Sequence, residues 1–144
     1  MSNSRTVILF ILFSCLFFYP TVQADTSPKL PEAASRTYAQ NYKDSALAFC
    51  ISSAYAQHPE VSHDAISSAS ALDYWSQYDL ENSTEKIPEL VKTYLARQYA
   101  SHQGAGTRLD LMKCIDLYHG PELDALTKQY VGKPEQTYRN ENPD

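Results

Sequence analysis

The chain has 144 residues, 43% of them hydrophobic, which is enough for one domain with a single core. Seventeen acidic side chains against 12 basic ones give a formal net charge of −5, so no basic stripe is on offer for nucleic acid. The 3 cysteines form no CxxC pair, which removes the usual zinc spacings.

Arg5 and the amino terminus precede an apolar run from Val7 to Tyr19, followed by Pro20 and then Val22-Gln23-Ala24. This is the three-part layout of a secretory signal peptide over residues 1–24, with cleavage after Ala24. The run falls short of the roughly 20 residues that a membrane span requires, so no membrane association is expected after cleavage. Cys15 lies inside the run, two residues after bulky Phe13, and leaves with the leader rather than serving as a lipid acceptor. Cys50 and Cys114 remain. In an oxidising compartment two thiols of a small domain read as one disulfide.

Residues 25–35 hold two prolines and no apolar period, which predicts an extended linker. The pattern turns helical from Arg36, with Leu47, Cys50, Ile51 and Ala54 on one stripe. His58-Pro59 breaks this helix. Ser62 then reads as the N-cap of a second helix that carries the small-residue run ISSASA and the aromatic end Tyr74, Trp75 and Tyr78. Such a face admits close approach of another helix, either inside the domain or across an interface.

Residues 79–84 form a polar connector, and a third helix is expected from Glu85 to Ala100 with Ile87, Leu90, Val91, Tyr94 and Leu95 inward. The segment SHQGAGT, Ser101–Thr107, holds two of the 4 glycines and reads as an exposed loop. The next helix places Leu111, Cys114, Ile115 and Tyr118 on a predicted buried face, and it ends at His119-Gly120 with glycine in the left-handed position. A fifth helix runs from Pro121 to Val131 with Leu123, Leu126 and Tyr130 inward, and residues 132–144 form a polar, flexible tail. Cys50 and Cys114 hold the same place in their two stripes. A bridge between them would close a loop worth roughly 4 kcal/mol in the chain-entropy model. No stretch alternates long enough for a strand. The expected fold is all-α: a compact bundle of about five helices with one interhelical disulfide, over residues 36–131.

Catalytic signals are sparse. GxSxG, HExxH and phosphate-cradling glycine loops are absent from the sequence. His58 and His63 do not share a helical face, and His119 at a helix end complements the dipole there. A thiol–imidazole pair with His119 is chemically conceivable, but cysteines on apolar faces of an exported protein favour an inert bridge. No metal and no cofactor is expected, and a binding protein is the better reading than an enzyme. The Ser101–Thr107 loop, with its small side chains, is the best candidate to enter a narrow cleft, although most short loops only connect elements.

Two segments, KDSALAFCISSAY (Lys43–Tyr55) and LMKCIDLYHGPELDAL (Leu111–Leu126), resemble the periplasmic immunity proteins against type VI secretion amidase effectors. Within that family they are similar to the fourth amidase-immunity class, akin to the resistance-associated proteins of the same system. DAISSASALDYW and LVKTYLARQY match in order and spacing, so the resemblance spans residues 36–131. It implies a periplasmic, all-helical homodimer that is not an enzyme. Such a protein binds a papain-like cysteine amidase of peptidoglycan and occludes its active-site cleft with a protruding loop. That role falls on Ser101, His102, Gln103, Gly104, Ala105, Gly106 and Thr107. Ser67, Ser68, Ser70, Ala71, Tyr74 and Trp75 are expected at a dimer or effector contact. The alternatives are an exported structural or chaperone-like helical module, and a small periplasmic hydrolase.

Overall fold

The computed structural model describes residues 31–99 and 106–143. The expected signal peptide and Ser101–Ala105 lie outside the described residues. Five helices of nine residues or more carry the domain: α1 (Tyr38–Ala54), α2 (Pro59–Tyr74), α4 (Lys86–Leu95), α5 (Asp110–Tyr118) and α6 (Pro121–Tyr130). Two single turns join them, α3 (Leu80–Ser83) and α7 (Tyr138–Glu141). No strand occurs among the described residues, only one isolated bridge between Thr37 and Thr137.

Helix α1 is the hub, meeting α2, α4, α5 and α6. It starts where a capping box forms: the Gln40 amide donates to Thr37 Oγ1 at 3.1 Å, and the Thr37 amide donates to Gln40 Oε1 at 3.0 Å. Tyr42, Ala46, Cys50, Val91, Tyr94, Cys114, Leu117 and Leu123 fill the core around it. Cys50 and Cys114 are bonded, with their Cα atoms 5.6 Å apart, which staples α5 to α1. Asn41 is fully buried yet satisfied. Its amide donates to the carbonyls of Ala33 at 2.8 Å and Trp75 at 2.7 Å, and its Oδ1 accepts from Arg36 Nε at 3.2 Å.

Of the small-residue run of α2 only Ala69 packs within the domain, and the rest of it is exposed. Ala65 and Ala69 are buried against α1, and Ser45 Oγ lies 2.8 Å from Asp73 Oδ1. Helix α2 starts at Pro59 rather than at Ser62, because proline fits the first helical position, where its missing N–H costs nothing. Ser62 instead donates to the Ser52 carbonyl at 3.2 Å, stitching α2 to α1.

Two expectations about local structure change. Helix α5 buries Lys113, Cys114 and Leu117, while Leu111 and Ile115 are exposed. The disulfide and the partners of Lys113 set that rotation. Gly120 is not left-handed but extended, with φ −77. Its place is fixed by space: a Cβ there would stand 2.1 Å from the Tyr94 hydroxyl and 3.0 Å from the Asp116 carbonyl.

Both ends of the domain carry a short helical turn. The last residues of the expected linker, Glu32–Ser35, form a 3-10 turn with Ala33 and Ala34 buried, while residues 25–30 lie outside the described residues. In the expected tail, α7 is pinned to α1: Tyr38 Oη donates to Glu141 at 2.7 Å, and the Tyr38 and Ala39 amides donate to the carbonyls of Gln136 and Pro134. The Tyr138 ring packs edge-on to Trp75 at 4.8 Å. Pairing of this kind depends on partners 100 residues away, which local polarity does not reveal.

Candidate functional site

The chain leaves α4 at Leu95 and enters α5 at Asp110, and the described residues on both sides of residues 100–105 are braced against α5. Helix α4 closes with a tightened turn in which the Arg97 amide donates to the Tyr94 carbonyl at 3.1 Å. The Arg97 guanidinium lies over the Tyr94 ring, 3.4 Å from its centroid, and reaches Glu122 at 3.7 Å. The Tyr99 hydroxyl donates to Asp116, and that hydrogen bond holds the Tyr99 phenol above its usual pKa.

On the far side, Lys113 is only 5% exposed. Its Nζ donates to the Leu95 carbonyl at 3.1 Å and to Asp110 Oδ1 at 2.9 Å. Arg108 pairs with the other oxygen of Asp110 at 2.8 Å. One buried ammonium thus ties the last residue of α4 to the first of α5. Between them, Leu109 adopts a left-handed backbone, φ 52 and ψ 37, a conformation that costs a residue with a side chain roughly 1–2 kcal/mol. Gly106 has φ +92 with open space around it, where glycine is the natural occupant.

In the run MKCID, therefore, Lys113, Cys114 and Asp116 each hold something: the α4–α5 junction, helix α1, and Tyr99. Sequence reasoning assigned this stretch to the core and missed Lys113, Asp116 and Tyr99 as braces. A lysine at a buried helical position is the signal that was available.

The residues expected to make contacts are described only in part. Gly106 and Thr107 are exposed, whereas Ser101–Ala105 lie outside the described residues. Ser67, Ser68, Ser70 and Ala71 face solvent along α2, and Tyr74 is 66% exposed. Trp75 is half-buried between Tyr74 and Tyr138, with ring centroids 4.8 Å from each. Among the described residues no group of three His, Cys, Asp or Glu could hold a metal ion, and no helix is long and apolar enough to cross a membrane.

Residues 40–127 match the family model of Tai4, the type VI secretion system amidase immunity protein. The chain belongs to that family. A solved structure from work on new type VI-secreted toxins and self-resistance proteins in Serratia marcescens is similar at 30% identity and a TM-score of 0.72, covering 85% of this chain and all of the other. A structure of the Tae4/Tai4 effector–immunity system from Salmonella typhimurium, a selenomethionine variant, is similar at 27% identity and a TM-score of 0.64, covering 73% of this chain and all of the other. No curated protein matches the chain. The Tai4 match takes in both cysteines, the α4–α5 junction and most of α6.

Proposed function

We propose that this Tai4-family chain is exported through the leader at residues 1–24 to the periplasm. There it binds a type VI secretion peptidoglycan amidase, a papain-like cysteine peptidase, and blocks it by occluding the active-site cleft. The observation that carries this reading is the family match over residues 40–127, joined to a structure of an effector–immunity system among its structural neighbours.

The inhibiting element is Ser101–Thr107, with Gln103, Gly104 and Ala105 at the tip. A cleft shaped for an extended peptide admits a segment of small side chains, and glycine lets its backbone approach catalytic groups closely. Bracing on both sides by Tyr99–Asp116 and Lys113 supports this role, because a binding segment held in place forfeits less ordering entropy on association. The chain acts as a homodimer, with Ser67, Ser68, Ser70, Ala71, Tyr74 and Trp75 as a secondary contact for the other copy or the effector. It works by steric exclusion, without turnover and without a cofactor.

The test is digestion of peptidoglycan by the cognate type VI secretion amidase, titrated with the purified protein. Loss of digestion at a stoichiometric amount, with a complex on gel filtration, is the expected outcome. Full digestion at equimolar protein with no complex removes the assignment. Peptidoglycan turnover by the protein alone would replace it with a hydrolase.

A further inference from the structure

Helices α1 and α2 and the α3–α4 stretch leave a cavity of about 200 Å³ between them. Drug-sized sites run to roughly 300–1,000 Å³, so an occupant here has only a few non-hydrogen atoms. Phe49 from α1, Ile66 and Ala69 from α2, and Ile87 from α4 give it apolar walls. The polar lining has already committed its protons. Ser45 Oγ donates to Asp73 Oδ1 at 2.8 Å, and Ser70 Oγ donates to the Ile66 carbonyl at 3.1 Å. The Ser83 and Thr84 hydroxyls donate to the carbonyls of Asp79 and Leu80. Burial first, and the Asp73 charge second, hold the Tyr78 phenol above its usual range. Pro88, in the first turn of α4, has no amide proton to offer. The side chains that line the cavity therefore present lone pairs and one carboxylate. Asp73 is exposed to whatever enters, and among the described residues no lysine or arginine forms an ion pair with it.

We propose that this cavity binds a small primary alkylammonium, with the charged nitrogen at Asp73 and the alkyl body against Phe49, Ile66 and Ile87. An ammonium carries three donors and no acceptor, which is the complement of this lining. Its bond to the carboxylate is charge-assisted, and the rings of Tyr42 and Tyr78, which meet edge-on at 5.0 Å, add aromatic surface beside the cation. An anion would meet Asp73 with no side-chain donor to offset the repulsion. An alcohol has one proton for several acceptors. The same chemistry belongs to a free alkylamine and to the lysine side chain of a protein, and the two sources separate by experiment.

The experiment titrates the purified protein with n-butylammonium, n-butanol, butyrate and Nα-acetyl-lysine methylamide, following backbone amide shifts by NMR. n-Butylammonium is expected to move the amides around Ser45, Ser70 and Asp73 and to saturate at a roughly millimolar concentration. n-Butanol should bind at least about tenfold more weakly, and butyrate not at all. Asp73→Asn keeps an acceptor for Ser45 and removes the charge, so it should weaken n-butylammonium at least about tenfold and leave n-butanol unchanged. Should Asp73→Asn not fold, the comparison of n-butylammonium with n-butanol on the parent decides. Binding of the blocked lysine as tight as that of n-butylammonium gives the site to a protein's lysine side chain; binding of n-butylammonium alone gives it to a free amine. No shift with n-butylammonium overturns the proposal and leaves the cavity to water. Equal affinity for n-butanol, or an unchanged affinity in Asp73→Asn, overturns it as well.

Discussion

The Lys113 ammonium donates to the carbonyl oxygen of Leu95 across the junction between α4 and α5, at 3.1 Å, while also pairing with Asp110 at 2.9 Å. Both charged side chains are nearly inaccessible, at 6% and 9%. Removing one partner of a buried pair strands the other, whereas removing both sacrifices much less.

Lys113→Met is therefore expected to lower stability by about 2 kcal/mol, less than a fully isolated pair would lose because Arg108 still reaches Asp110. Lys113→Met/Asp110→Asn should be more stable than the sum of the two single changes. Urea unfolding of the four proteins of this cycle is the measurement. Additive losses would show that the two groups act independently.

Gly120 is confined by contact rather than by backbone conformation. Gly120→Ala is expected to cost about 2 kcal/mol, because its Cβ collides with the Tyr94 hydroxyl that donates to Glu122 at 2.7 Å. Tyr94→Phe in the same chain should return part of that loss. A thermal midpoint unchanged by Gly120→Ala would mean that Tyr94 shifts freely.

These two sites mark where sequence reading reached and where it stopped. The apolar periods of α4 and α6, with Val91, Tyr94, Leu123 and Tyr130 buried, were legible because a helix packed on one side repeats its core residues at fixed intervals. The Cys50–Cys114 bond was legible from the parallel setting of the two cysteines and from the oxidising compartment that the leader led one to expect. The rotation of α5 was not. An apolar stripe says which residues prefer burial, while a disulfide and a lysine with two oxygen acceptors can outvote that preference. Gly120 looked like an ordinary helix stop, and only the approach of Tyr94 from α4 gives it another reason. The docking of α7 depended on Tyr38 and Trp75, both distant in sequence. At the candidate site, Ser101–Thr107 stood out by composition alone; its braces are tertiary.

A bulky side chain at the segment's tip tests the inhibitor reading directly. Gly104→Trp is expected to weaken inhibition of the amidase by more than about tenfold without altering thermal unfolding, since a tight cleft rejects added volume. Protection of cells equal to that of the parent would remove Ser101–Thr107 from the mechanism.

Acid should unfasten the α7 end of the domain. Lys133 Nζ and the Tyr38 hydroxyl both donate to Glu141, each at 2.7 Å, and hold its carboxyl below 4.5. Lys43 does the same for Asp124, below 3.8. Folded-state values beneath the unfolded ones mean stability that is present at neutral pH and lost as pH falls through those values. Glu141→Gln should accordingly flatten the acid limb of a plot of thermal midpoint against pH. On the alkaline side, Tyr38 is pushed up to about 12, first by burial and then by Glu141, so its contribution persists below 10 and fades as pH rises toward 12. An acid limb identical in Glu141→Gln and parent would exclude this carboxylate as a source of acid sensitivity.

The bridge between Thr37 and Thr137 joins the start of α1 to residues near the end of the chain. Helix α1 finds its partners late: Cys114 lies 64 positions beyond Cys50, and Glu141 lies 103 beyond Tyr38. Closing contacts so far apart slows a helical domain that would otherwise assemble locally. A ribosome that has released only the first half of the chain has released α1 without α5, α6 or α7. The finished arrangement must wait until translation has passed Glu141, whose carboxylate closes α7 onto Tyr38.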